Sequence, residues 1–231
     1  MNPFFQALVK LGIYEQSQAE TLDAILAQSI AAGSNDPGDY QSIAESSLKA
    51  TLQVGLDSQK EKLLKLLAGN PNPTKAQWDA FWSAENTALW NTVKPDLQKI
   101  AMTDAIITSV DLGPDAWQAV NQAVIDWTEK YYTSEQEFGS IPNLNQTSRK
   151  EVADAFTAWS KGELSHNLGL PSLALELQPT FGEKRAQTIA ITEATRIHAE
   201  ATRQTAIADP DVVYLRWLTA ADEITCPICW P

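Results

Sequence analysis

The fold is decided by the stretch FGEKRAQTIAITEATRIHAEATRQTAIADPDVVYLRWLTAADEITCPICW, which spans residues 181–230. Alanine and isoleucine recur at helical spacing over residues 186–201, and this pattern predicts one long helix. Thr180 followed by Glu183 has the form of a capping box at its start. Because proline disfavours helical dihedral angles in the residue before it, we expect the helix to end before Pro210.

A short β element is expected after this helix. Residues 212–218 are β-branched, aromatic or aliphatic apart from one arginine, which is typical of a strand. The sequence Cys226-Pro-Ile-Cys229 follows and indicates a tight corner. We therefore expect a mainly α chain with a small C-terminal β element, an α+β arrangement.

The long helix carries two stripes. Arg185, Thr192, Arg196 and Arg203 share one face, whereas Glu193 lies on the opposite, mostly apolar stripe. A carboxylate on an apolar stripe is costly unless it is paired or hydrogen-bonded. Two interpretations remain open. Glu193 is solvated at the stripe's edge or weakly paired with Arg196, or it is a buried polar anchor that joins the helix to the following strand.

The N-terminal half is also predicted to be helical, and residues that break or cap helices mark the boundaries. Apolar periodicity indicates helices over residues 16–32 and from Pro37 to about residue 68, before the breaker Gly-Asn-Pro-Asn-Pro at residues 69–73. Thr74 and Gln77 form a capping box for a helix that extends towards residue 113. Pro95 is expected to kink this helix or divide it in two.

The third quarter of the chain contains further helices and turns. We expect a helix over residues 114–132 and a loop over residues 133–146, with Ser148 and Glu151 capping the helix that follows. A turn over residues 162–169 and a short helix over residues 172–177 lead into the long helix.

The helix that follows Thr74 is rich in aromatic residues. Trp78, Phe81, Trp82 and Trp90 recur on it and could be taken for a ligand-binding box. Their helical spacing favours core packing or a contact between helices.

The composition of the chain excludes several classes of protein. Its 231 residues carry a formal net charge of -12. This charge argues against broad nucleic-acid binding. A local patch could still contact DNA, and the arginine stripe is the only candidate in the sequence. The acidic residues interspersed in that stripe favour a solvated or protein-facing role. No apolar run reaches the length of a membrane span, and the N-terminus lacks the pattern of a secretory signal. We expect a cytoplasmic protein without membrane contact.

No catalytic constellation is evident in the sequence, and we expect no enzyme. The chain has two histidines, His166 in a predicted turn and His198 on the long helix, and they do not form a catalytic triad pattern. His198 is expected to be a partly buried structural histidine. Neither a P-loop nor a dinucleotide fingerprint occurs.

The C-terminal motifs resemble those of a known family. Arg185-Ala186, Thr192-Glu193 and Arg196 have the order RA-x-x-IA-x-TE-x-x-R, and residues 217–229 continue as W-x-T-x-x-DE-x-x-CP-x-C. The second part consists of Trp217, Thr219, Asp222, Glu223, Cys226 and Cys229. Over residues 116–229 the chain resembles the phage Mu F-like head morphogenesis family, the minor head proteins of tailed bacteriophages.

The resemblance implies a domain division and a function. It implies an elongated helical arm or bundle over residues 1–113 and a head-protein domain over residues 114–231, in which the motif residues lock the long helix to the strand and corner. Family members join the procapsid near the portal vertex and act in head assembly or in DNA packaging and ejection. The implied partners are the portal, capsid and scaffold proteins, or another copy of the chain. The implied location is the virion head interior, after assembly in the host cytoplasm.

The two cysteines leave alternatives open. Cys226 and Cys229 have the spacing of half a zinc site, and the only other candidate ligands are two distant histidines and the acidic pair at residues 222–223. Family members continue past this pair, so we expect a truncated domain with an incomplete metal site and no cofactor other than zinc. A reduced turn-forming pair and a redox-active pair are the other interpretations.

Two other functions are alternatives to that of a minor head protein. One is the delivery module of a larger protein with a C-terminal toxin or enzyme domain, which some relatives carry. The other is an independent zinc-dependent enzyme, which would need bound metal with an open coordination position.

Overall fold

The computed structural model describes residues 37–109, 112, 114–135, 140–164 and 169–214, together with residues 6, 9, 16 and 20. Within these ranges the chain is mainly helical, which confirms the predicted mainly α class. The helices are α1 Pro37–Gly69, α2 Lys75–Ser109, α3 Pro114–Thr133, α4 Ile141–Ser160, α5 Leu170–Glu176, α6 Gln178–Phe181 and α7 Glu183–Ala208.

The boundary between α1 and α2 lies where the sequence predicted it. Helix α1 ends at Gly69, before the proline-rich breaker. The capping box of α2 is formed, because the Thr74 amide donates to Gln77 Oε1 at 2.8 Å and the Gln77 amide donates to Thr74 Oγ1 at 3.3 Å.

Helix α2 is continuous through Pro95, so a division of this helix, one of the two predicted outcomes, is wrong, and a kink stays a prediction. Proline removes one backbone hydrogen bond, the one to the carbonyl four residues earlier. Pro95 and Asn91 are both exposed, so water can reach the carbonyl that loses its partner. Val93 and Leu97 are almost fully buried on the other side and hold the helix against the core.

Helix α4 begins earlier than predicted. The expected loop over residues 133–146 is shorter than predicted, since Thr133 ends α3 and α4 begins at Ile141. The expected cap at Ser148 is wrong, because Ser140 is the N-cap of α4. The Ser140 hydroxyl accepts from the Asn143 amide at 3.4 Å, and Pro142 lies in the first turn, where its missing N–H costs nothing. Ser148 is buried inside the helix and donates to the Leu144 carbonyl at 3.1 Å.

The start of α7 also differs from the prediction. Thr180 belongs to α6. The N-cap of α7 is Gly182, which has an extended backbone and no side chain that could accept a capping hydrogen bond. The predicted capping box of Thr180 and Glu183 is therefore wrong. Gly182 is required by close packing, since a Cβ atom there would lie 2.5 Å from the Gln178 carbonyl oxygen.

The end of α7 agrees with the prediction. The helix ends at Ala208, and the amide of Asp209 donates to the Thr205 carbonyl at 3.0 Å. Residues 212–214, the described part of the predicted strand, are exposed and are not in a strand. The rest of that strand, the Cys226–Cys229 corner, residue 166 and nearly all of the predicted helix at residues 16–32 lie outside the described residues.

The described helices share one hydrophobic core. Helices α2 and α7 contact each other, and each also packs against α1 and α3, while α4 packs against α2 and α3. The largest fully buried side chains are Tyr132, Phe181, Leu48, Leu52, Leu56, Leu63, Leu67, Leu97, Leu173, Leu177 and Ile197. The domain boundary near residue 113 stays a prediction, although helices on both sides of it contribute to this core.

Candidate functional site

The motif residues fall into two groups. Arg185, Ala186, Thr192, Glu193 and Arg196 lie on α7. The second group lies outside the described residues and consists of Trp217, Thr219, Asp222, Glu223, Cys226 and Cys229. The candidate site is therefore built from the α7 residues and the side chains that contact them.

Glu193 is the centre of this site. Its side chain lies in the core, with the residue only 3% exposed, and its Oε2 atom accepts from the Tyr132 hydroxyl at 2.8 Å. Arg196 Nη1 donates to both carboxylate oxygens, at 3.0 and 2.9 Å. Glu193 is thus a buried polar anchor, and its hydrogen bond with Tyr132 joins α7 to α3. The predicted contact to the strand lies outside the described residues.

Arg196 is held between Glu193 and an aromatic pair. The Tyr131 hydroxyl accepts a hydrogen bond from Arg196 Nη1, and the guanidinium carbon lies 5.1 Å from the centroid of the Tyr131 ring. Tyr131 in turn stacks on Trp127, with ring centroids 4.8 Å apart. A cation–π contact and an ion pair therefore both hold the Arg196 guanidinium at this position.

The electrostatics of the site favour a stable structural anchor. Burial raises the pKa of Glu193, and this effect is opposed by the charge of Arg196 and by the hydrogen bonds from Tyr132 and Arg196. Burial raises the pKa of Tyr132 well above its ordinary value, and the nearby Glu193 carboxylate raises it further. Tyr132 consequently keeps its proton and serves as a permanent hydrogen-bond donor.

Arg185 connects three elements. Its Nη1 atom donates to the Thr180 carbonyl of α6 at 2.8 Å, and its Nη2 atom donates to the Leu144 carbonyl of α4 at 3.0 Å. Burial lowers the pKa of Arg185, and the charge of Glu151, 3.4 Å away, opposes this shift. Arg185 thus faces protein, one of the two roles proposed for the arginine stripe.

The remaining motif residues on α7 have simpler roles. Ala186 is fully buried in the core, where a larger side chain would not fit without movement of its neighbours. Thr192 is exposed, and its hydroxyl donates to the Thr188 carbonyl of the preceding turn at 2.8 Å. Arg203, at the far end of the stripe, forms an ion pair with Glu200 at 2.6 Å.

His198 is half-buried, as predicted. Its Nδ1 atom lies 3.2 Å from Oδ1 of Asp104, a buried residue of α2. The hydrogen bond to Asp104 raises the pKa of His198, and burial opposes that shift. The pair links α2 to α7 in the same way that Tyr132 and Glu193 link α3 to α7.

Sequence reasoning missed the partners of these residues. Tyr131, Tyr132 and Asp104 carry no motif, and their separation from α7 in the sequence leaves no local signal. The one available hint was the position of the two tyrosines on the apolar side of an amphipathic helix. The predicted core or interhelical packing of the aromatic residues of α2 is seen at Trp82, which is buried, and at Trp78, which packs edge-on against Phe156 of α4 with ring centroids 6.0 Å apart. Trp78 and Phe156 keep part of their surface exposed.

Clusters of metal-ligating side chains are the next feature of the described residues. In the part of the chain that the structure describes, no group of three or more His, Cys, Asp or Glu side chains could hold a metal ion. The cysteine pair lies outside that part, so the proposed zinc half-site stays a prediction. Among the helices of the described ranges, none combines the length and apolar character needed to span a membrane.

No protein-family model, curated protein or solved structure matches this chain. The described residues define a helical protein in which α7 is joined to α3 by the buried Tyr132–Glu193 link and to α2 by the half-buried His198–Asp104 pair. Assignment to a family depends on the resemblance of the motif residues alone.

Proposed function

We propose that this chain is a minor head protein of a tailed bacteriophage, which binds at the portal vertex and acts in head morphogenesis and in DNA packaging or ejection. The observation that carries the proposal is the order and spacing of the motif that begins at Arg185 and ends at Cys229. In this proposal the protein has a structural role, lies in the head interior near the portal, and assembles there from the host cytoplasm.

The contacts of the motif residues are consistent with that role. Arg185, Glu193 and Arg196 make their hydrogen bonds to other helices or to each other, which suits a motif that maintains a fold. The finer architecture belongs to the same proposal. It consists of an elongated N-terminal helical region and a head-protein domain with a small β element beyond residue 214.

The N-terminal helices are proposed to present apolar side chains to the portal. Val54 of α1 is 64% exposed, on a helix that buries Leu48, Leu52, Leu56, Leu63 and Leu67 in the core. In this proposal Val54 is the exposed apolar contact through which the helix docks into a groove of the partner protein. Leu175 of α5 has the same exposed fraction and provides a matched comparison.

The test is co-expression with the portal protein of the same phage, followed by size-exclusion chromatography with mass determination. We expect a complex of defined stoichiometry that is weakened by Val54→Asp and unaffected by Leu175→Asp. Both substitutions place a charge on an exposed side chain, so neither should unfold the protein. A folded chain that binds neither portal nor assembled procapsid would contradict the proposal.

A further inference from the structure

A surface cleft runs between the N-terminal half of α2 and α4. It consists of two adjoining cavities of about 350 and 380 Å³, and both are lined by Trp82 and Arg149. The first cavity has walls of aromatic and aliphatic side chains, including Trp78 and Phe156. The second is polar and is lined by amide side chains such as Asn86.

The apolar part of the cleft is incompletely covered by the protein itself. The buried residues of α4 end at Val152, and the aromatic residues further along, Phe156 and Trp159, are only partly buried. Trp78 meets Phe156 edge-on, an arrangement that leaves part of each ring face accessible. The rings therefore offer apolar area to another molecule.

The rim of the cleft is basic, although the whole chain carries a formal net charge of -12. Lys75 and Arg149 line the apolar cavity, and a third cavity beside it is lined by Arg149 and Lys150. One carboxylate pairs with two of these cations, since Asp79 lies 2.6 Å from Lys75 and 2.5 Å from Arg149. A second carboxylate, Glu135, lines the polar cavity. Three cations thus face two carboxylates, and the excess positive charge lies at the apolar end, where Lys75, Arg149 and Lys150 attract anionic groups.

We propose that this cleft binds an acidic peptide segment of a partner protein, in which an aromatic or aliphatic anchor lies next to carboxylate side chains. The anchor fills the cavity between Trp78 and Phe156, and the carboxylates pair with Arg149 and Lys75. The amide of Asn86 lies in the adjoining cavity, where peptide groups can hydrogen-bond to amide side chains.

The shape of the cleft favours a peptide over a small molecule. Small-molecule sites usually enclose most of their ligand. Here Lys75, Arg149 and Thr157 are exposed, so an occupant would keep one side in water. Grooves of this kind typically accept the anchor side chains of a helix or an extended segment.

The probe for this proposal is a fluorescein-labelled, terminally blocked peptide in which glutamates flank one phenylalanine and one leucine. Binding to the full-length chain is measured by fluorescence anisotropy and by calorimetry. We expect saturable binding that weakens as salt concentration rises, because salt screens exposed charges. A matched peptide with glutamines in place of the glutamates should bind at least about fivefold more weakly.

Two substitutions test the cleft itself. Arg149→Ala should weaken binding about tenfold by removing a charged partner of the peptide. Arg203→Ala is its control, because the side chains of Arg149 and Arg203 are 44% and 49% exposed and each forms one ion pair. Asp79→Asn should strengthen binding, since it releases both rim cations from their counter-charge.

Three results would overturn the proposal. These are the absence of saturable binding, equal binding of the glutamine peptide, and equal effects of Arg149→Ala and Arg203→Ala. The last result would indicate that the peptide responds to the overall charge of the protein and does not occupy the cleft.

Discussion

Tyr132→Phe tests the buried link between α3 and α7. The substitution removes one hydroxyl and leaves a ring of the same shape, so it creates little or no cavity. The hydroxyl donates to the Glu193 carboxylate at 2.8 Å in a buried position. Hydrogen bonds to charged groups contribute about 1.5–3 kcal/mol, and water cannot easily replace this one. We therefore expect the free energy of unfolding to fall by about 2 kcal/mol.

The comparison with Arg196 sets the scale of this effect. Arg196→Ala leaves the buried Glu193 carboxylate without its cationic partner, and such a loss costs about 3–5 kcal/mol in a fully buried pair. The Arg196 side chain is 26% exposed, so water can partly replace the guanidinium and the lower end of that range is expected. Arg203→Ala is the matched control, because Arg203 also pairs with a glutamate three residues earlier on α7 but is more exposed. Its expected cost is about 0–1 kcal/mol.

The assay is urea denaturation followed by far-UV circular dichroism, with linear extrapolation to water. The slope should stay the same for all three variants, so that a change in the midpoint reports a change in stability. If Tyr132→Phe lies within about 0.5 kcal/mol of the wild type, the hydroxyl is not a buried donor to a charge and the proposed anchor is wrong.

Three further predictions concern other parts of the chain. Asp104 raises the pKa of His198 above 6.5, so the folded state binds the proton more tightly and the stabilisation is fully present below pH 6.5. It is lost as pH rises through the folded-state pKa; the denaturation midpoint should fall over that window in the wild type and not in His198→Asn. Gly182→Ala should lower the melting temperature, because its Cβ would lie 2.5 Å from a backbone oxygen; an unchanged melting temperature would contradict this. Replacement of Cys226 and Cys229 by serine should be nearly silent if no metal binds, whereas a large loss of folding in a thermal melt would indicate a zinc site.

Several helix boundaries were predictable from local signals, although the capping box of Thr180 and Glu183 failed because Thr180 lies inside α6. Pro37, the Thr74–Gln77 box and Pro210 act on their own backbone or on residues a few positions away, and the structure has helix ends next to each of them. The prediction failed where two local signals competed. Ser140 and Ser148 both precede helical patterns and both are buried, but only Ser140 accepts the capping hydrogen bond, whereas Ser148 lies inside α4 and donates to the Leu144 carbonyl.

The candidate site also combines features set by local spacing with features set by tertiary packing. The spacing of Glu193 and Arg196 indicated a possible pair, since residues three apart share a helix face. Their burial could not be derived from spacing, because it depends on which helix covers that face of α7. Tyr132 is 61 residues from Glu193, and Asp104 is 94 residues from His198.

The amino-acid sequence by itself determined the mainly helical class, most helix ends and the long helix α7 with its two stripes. It determined these because dihedral preferences, caps and apolar periodicity act over a few residues. Only the tertiary structure decided that Glu193 is an anchor to α3, that Arg185 joins α4, α6 and α7, and that an aromatic and basic cleft opens beside α4. Each of these features depends on side chains that come together from distant parts of the chain. Where their packing excludes water, a hydrogen bond or an ion pair contributes more to stability than it does in solvent.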